Sequence, residues 1–300
     1  MTEATTAEGP GARILDRRYQ RYVGPRRGQG HATYRLAVHV FQRLLGLRRP
    51  GRYKIVPILL GVVCFALPLF YIAIAALVPI AGRFLTYRQV FANLGLPILL
   101  FTISVGPGPL ILDRSTRSLS LYLASPLTRL TYLAAHAAAL VSVLLLVTLG
   151  PSMLFLIGSM VQGIGPDGAL GVATIVGKNL LASTLISALY AALIMAAASA
   201  FNRPGAAGGL VFVIFSVLSG AMGAALANGG SGYLILADFP AIAQQLIDRL
   251  FGLESGFSQF EFIERVTAVP VGLVIAAYAG WLGLALAAVW YRYRRLEVSR

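Results

Sequence analysis

Apolar positions in this chain gather into six runs, at 55–81, 90–112, 130–161, 172–201, 206–227 and 269–291. A hydrocarbon core of roughly 30 Å takes about 20 residues of helix, because the backbone must satisfy its own polar groups where no water reaches. Every run meets that length, so the pattern predicts an all-α integral membrane protein with six transmembrane helices. The third and fourth runs exceed a bare crossing, which predicts tilt or helical extension into water. Just before the first run the pattern changes. Ala37, Val40, Phe41 and Leu44 recur at helical spacing while Arg35, His39, Gln42 and Arg43 point the other way, predicting an interfacial amphipathic helix over 31–50. The same helix is suited to brace a cytoplasmic partner. Residues 1–30 hold too few apolar side chains for a core and read as a disordered cytoplasmic leader, without the apolar stretch of a cleavable signal. The six-helix domain then fills 51–295.

Smaller features refine this plan. Pro57, Pro68, Pro79, Pro97, Pro107 and Pro109 interrupt the first two runs and predict kinks. Ala196, Ala197, Ala198, Ser199 and Ala200, then Gly205, Gly208, Gly209, Gly220 and Gly223, offer small surfaces for close helix packing in the fourth and fifth. The loop 228–268 carries Ile242, Leu246, Ile247, Leu250 and Phe251 at near-helical spacing, with five carboxylates at Asp238, Asp248, Glu254, Glu261 and Glu264. One or two short helices lying at the outer interface or dipping back into it, capping the exit of a pathway, are expected there.

Composition agrees with lipid as the solvent: 57% of the residues are hydrophobic, 12% are charged and the mean hydropathy is +0.76. The net charge of +14 adds orientation. Twelve Lys and Arg precede the first run, three lie between the second and third, Arg203 stands between the fourth and fifth, and four follow the sixth, making 20 of the 25. Arg83, Arg88, Lys178, Arg249 and Arg265 are the five on the other side. Cations mark cytoplasmic loops, so both termini are expected in the cytoplasm and the 228–268 loop outside, in the plasma membrane. Cations confined to helix ends point to anionic lipid headgroups as partners and not to nucleic acid, which needs an aqueous module to meet.

The chemistry of catalysis is sparse. Cys64 is the one cysteine, so no disulfide within the chain and no cysteine metal cluster can form. Gly171 to Asn179 superficially follows a phosphate-binding loop, yet five residues instead of four separate Gly171 and Gly177, and Asn179 replaces the magnesium-binding Ser or Thr. His136 has no carboxylate within a few turns along the chain and reads as a lone polar residue, hydrogen-bonded at a helix interface or exposed near the headgroups. Spans without acidic groups also argue against proton- or sodium-coupled transport. The chain is read as no enzyme, with no cofactor and no metal of its own.

The segment between the second and third runs is the exception to this blandness. Asp113 and Arg114 leave the membrane, Leu119, Leu121, Tyr122 and Leu123 form a short amphipathic piece, and Ser125-Pro126 ends it. Four large apolar residues in a loop must be buried against this subunit or another protein. Here the chain resembles the type-2 permeases of ATP-binding-cassette (ABC) exporters. In that family an acidic residue and Arg end the second helix, and Leu-Tyr-Leu-Ser-x-Pro-Leu-x-Arg-x-x-Tyr leads into the third. Asp113, Arg114, Leu121, Tyr122, Leu123, Pro126, Leu127, Arg129 and Tyr132 match, whereas Ala124 stands for the usual Ser and His136 for a common Lys. Residues 16–25 are similar to the leader of actinobacterial members.

The resemblance implies a permease subunit that works in pairs, as a homodimer or heterodimer, with ATP and Mg bound by a separate cassette ATPase. Residues 113–130 would be its cytoplasmic coupling segment, with Leu121, Tyr122 and Leu123 as anchors, Arg114, Arg117 and Arg129 as charge partners, and Asp113, Pro126 and Tyr132 completing the motif. The alternative is an ATPase-independent membrane channel or a structural membrane protein, which predicts no ATPase partner.

Overall fold

Backbone groups that cannot reach water close their hydrogen bonds within a helix, and all regular structure among the described residues is helical. The structure, a computed structural model, describes residues 28–47, 54–78, 86–116, 118, 122, 127–252 and 268–295. The leader 1–27 and the loop residues 253–267, with Glu254, Glu261 and Glu264, lie outside them.

The amphipathic helix α1 spans Gln29–Leu44. The membrane helices are α2 (Ile55–Leu77), α3 (Tyr87–Val105) continued by α4 (Pro107–Ser115), α5 (Arg129–Val161), α6 (Gly168–Ala200), α7 (Pro204–Ala227) and α9 (Val271–Arg295). Counting α3 and α4 as one crossing, six helices among the described residues are long and apolar enough to cross a bilayer, so the chain is a multi-pass membrane protein. The short α8 (Phe239–Phe251) follows a 3-10 turn at Gly232–Ala237.

Local chemistry explains the boundaries. Thr128 caps α5 in a reciprocal box with Thr131, satisfying two amides that the first turn leaves open. Proline sits near the start of α4, α7 and α8, where its missing N–H costs nothing. The second crossing breaks at Gly106, whose amide still bonds Thr102 O at 2.8 Å. A Cβ at Gly106 would lie 2.9 Å from the Ile194 side chain, so glycine permits α6 to close against the break. The kink expected in this run is therefore a helix break fixed by Gly106 and Pro107 together.

Burial sorts the helices. The crossings of α3 with α4, α5 and α6 form the centre, whereas α2, α7 and α9 bury only 17%, 11% and 17% of their apolar windows. The outer three present their side chains to lipid or to another chain. Small residues act more locally than their abundance suggests. Gly208 meets the Ile103 backbone, while Gly205, Gly209, Gly220 and Gly223 face open space. The close approach is instead between α5 and α2, where Cβ atoms at Gly150 and Gly158 would overlap Phe65 and Ile72.

Two elements outside the six crossings pack against the bundle. Leu36, Val40 and Leu44 of α1 are buried in the main core, so that helix packs into the bundle's side. Likewise α8 buries Phe239, Ile242, Ala243, Ile247 and Asp248. Ionic and hydrogen-bonded contacts hold it: Arg88 of α3 reaches both Asp248 oxygens at 2.8 and 3.4 Å, and Gln244 donates to the same carboxylate at 2.8 Å. Arg249 donates to Val269 O at 2.5 Å. Asp238, which leads into α8, accepts from Ser219 at 3.0 Å. Burial pushes the Asp238 carboxyl above its usual range, against the lowering effect of Ser219 and the Ala241 amide.

Candidate functional site

One end of the bundle collects the cations Arg35, Arg43, Lys54, Arg114, Arg129, Arg203, Arg292, Arg294 and Arg295; Arg88, Lys178 and Arg249 sit towards the other. The candidate site lies at the basic end, where α4 finishes and α5 begins.

At its centre is Asp113, in the last turn of α4 and 2% exposed. A carboxylate this buried needs partners, and helices distant in sequence supply them. Arg43 of α1 donates to Oδ1 at 2.7 Å, and the Tyr132 hydroxyl donates to Oδ2 at 3.0 Å. His136 Nε2 lies 3.3 Å from the same oxygen but off the hydrogen-bonding line. Its Nδ1 is 3.0 Å from Tyr132 O, and a carbonyl can only accept. Tyr132 and His136 share one face of α5 because they are four residues apart. Their ring centroids are 4.3 Å apart, and Tyr293 of α9 lies 6.1 Å from Tyr132 on another side.

Around this core, arginines fasten helix ends. Carbonyls at a helix C-terminus have no intrahelical donor and carry the negative end of its dipole. Arg114 supplies donors to the end of α6, bonding Ser199 O at 2.6 Å and Phe201 O at 2.5 Å as well as Ala198 O. Arg129 does the same for α9, at 2.7 Å from Arg294 O and 3.3 Å from Tyr293 O. Arg292 returns from α9 to Ala200 O at 3.1 Å, so the ends of α6 and α9 are joined. Tyr122 stacks at an angle 5.9 Å from Tyr132; burial first, then the Asp113 charge, push its phenol above the usual range.

The structure thus brings Asp113, Arg114, Tyr122, Arg129 and Tyr132 to one place. Arg117, Leu121, Leu123 and Pro126 lie outside the described residues. Asp113 and Tyr132 are buried, and Arg114 and Arg129 hold carbonyls of this same chain, so here they root the loop to the bundle instead of facing outward.

Two participants escaped the reading of the pattern. Arg43 belongs by periodicity to the polar face of α1, yet its side chain is only 12% exposed and turns inward to Asp113. His136 is buried at a helix interface, one of the two places expected for it, but its carboxylate neighbour Asp113 is distant in sequence and is brought to it by α4 and α5. Signals existed for both: an acidic residue at the end of an apolar helix calls for a cation, and His136 follows the motif residue Tyr132 by one helical turn.

Among the described residues no group of three or more His, Cys, Asp and Glu side chains converges as a metal site. Gly171 to Asn179 lies within α6, so its glycines form no phosphate-cradling loop. The bonds tie the base of the loop to α1, α5, α6 and α9. No protein-family model matches the chain, and no curated protein matches it.

Proposed function

We propose that this chain is the membrane-spanning permease subunit of an ATP-driven exporter of the ABC type-2 class, working in pairs in the plasma membrane. The observation that carries this reading is the fastening of the 113–130 loop base to four helices through Asp113, Arg114, Arg129 and Tyr132. A force applied to such a loop reaches α1, α5, α6 and α9 together, because a direct hydrogen bond links it to each, buried at Tyr132 and part-buried at Arg43 and Arg114. A cassette ATPase that binds ATP and Mg docks on the basic, cytoplasmic face and grips Leu121, Tyr122 and Leu123. Closure of the ATPase then moves the loop base and, through it, the spans. The apolar faces of α2, α7 and α9 leave room for the second permease subunit. Both termini lie in the cytoplasm, where the basic end meets anionic headgroups.

Coexpression with a cassette ATPase from the same organism tests the proposal. The pair copurifies, and the combined Leu121→Asp and Tyr122→Asp change abolishes copurification without altering the thermal unfolding of the permease. Failure of the unaltered chain to bind that ATPase favours a channel or structural membrane protein.

A further inference from the structure

Between α5 and α6 runs a seam of polar side chains deep in the bundle. Thr148 and Ser152 on α5, and Asn179, Ser183 and Ser187 on α6, are each no more than 1% exposed. Thr148 Oγ1 and Ser187 Oγ approach to 3.3 Å across the seam. The two helices are neighbours joined by residues 162–167 and run antiparallel, so this contact sets a register. It brings Ser152 level with Ser183 and Leu156 level with Asn179.

Hydroxyls on α5 have local solutions. Thr148 donates to Leu144 O at 3.0 Å and Ser152 to Leu149 O at 2.9 Å, the back-bonding open to such residues inside a helix. On α6 the account does not close. Asn179 Nδ2, Asn179 Oδ1 and Ser183 Oγ are buried without a hydrogen-bond partner. A carboxamide offers two donors and an acceptor, and one left unmatched in a bilayer is among the costliest polar groups a helix can carry. Asparagine would be a poor choice for a dry interface, where leucine of similar size fills the space without that cost. Ser152, Ala182 and Ser183 keep the surrounding side chains short.

We propose that Asn179 and Ser183 form a binding site for internal water in the α5–α6 seam. The ligand must both donate and accept, to match Nδ2, Oδ1 and the Ser183 hydroxyl at once. It must also be neutral, because no ionised side chain occupies the seam among the described residues. It must be small enough to sit between packed helices. Water meets all three conditions, and buried waters typically bridge two to four polar groups that the protein leaves open. The site is independent of the proposed ATPase coupling, since it lies on other residues deeper in the bundle.

The test uses purified full-length protein without added solute. With water bound, Asn179→Leu lowers the unfolding midpoint by several degrees. Ser183→Ala lowers it too, and the combined loss is smaller than the two single losses added, because both changes strip the same ligand. Radiolytic hydroxyl-radical footprinting reads the water directly, through radicals formed in place. Leu156, 3% exposed, is oxidised several-fold faster than Leu144, 0% exposed, and the excess disappears in Asn179→Leu or, should that variant fail to fold, in Ser183→Ala. A raised midpoint in Asn179→Leu overturns the proposal, as does equal oxidation of Leu156 and Leu144.

Discussion

Asp113 is stabilised by groups that are themselves committed to it, so the result of changing it depends on what is left behind. Its own side chain is 3% exposed and that of Arg43 12%. Replacing Asp113 with Leu strands the Arg43 guanidinium and the Tyr132 hydroxyl in an apolar setting, at a cost of about 3 kcal/mol. Replacing Arg43 with Met at the same time removes one stranded group and recovers a large part of that loss. The coupling between the two positions is expected to be about 1–3 kcal/mol. Denaturant unfolding in micelles of the two single variants and the double variant measures it. Strict additivity would mean that the pair contributes through unrelated contacts. Asp113→Asn is milder than Asp113→Leu because the carboxamide oxygen still accepts from Tyr132.

Helices were legible in the sequence to the extent that solvent alone determines them. Long apolar runs have one solution in hydrocarbon, and α2, α5, α6, α7 and α9 overlap the expected spans closely. What periodicity cannot convey is which partner a face meets. Periodicity puts Arg43 on the polar side of α1, because spacing along one helix carries no information about Asp113 on another. For the same reason the glycines of α7 looked like packing sites while those of α5 drew no notice. Only the fold shows that α2 crosses α5 at Gly150 and Gly158. Substituting Val at Gly158 drives a branched side chain into Ile72 and costs about 1–3 kcal/mol of overpacking strain. The same change at Gly223, which faces open space, leaves the unfolding midpoint nearly unmoved. Thermal unfolding of the two variants side by side checks the contrast, and equal effects would refute the α2–α5 crossing.

For the whole molecule the decisive question is which end faces the cytoplasm, since a cassette ATPase can act only there. The basic end holds Ser115, exposed in the last turn of α4, and the other end holds Asn228, exposed just beyond α7. Cys64 is the chain's one cysteine and is fully buried, so an introduced thiol can be read against a silent background. In intact cells a membrane-impermeant maleimide is expected to label Asn228→Cys and to spare Ser115→Cys. Inverted vesicles are expected to reverse the pattern, because the proposed orientation puts the Ser115 end inside, where its arginines meet the inner leaflet. Labelling of Ser115→Cys from outside would put the 113–130 loop out of reach of ATP. No ATPase could then pull on Asp113, Arg114 and Arg129, and their bonds to α1, α6 and α9 would be left with a purely architectural role.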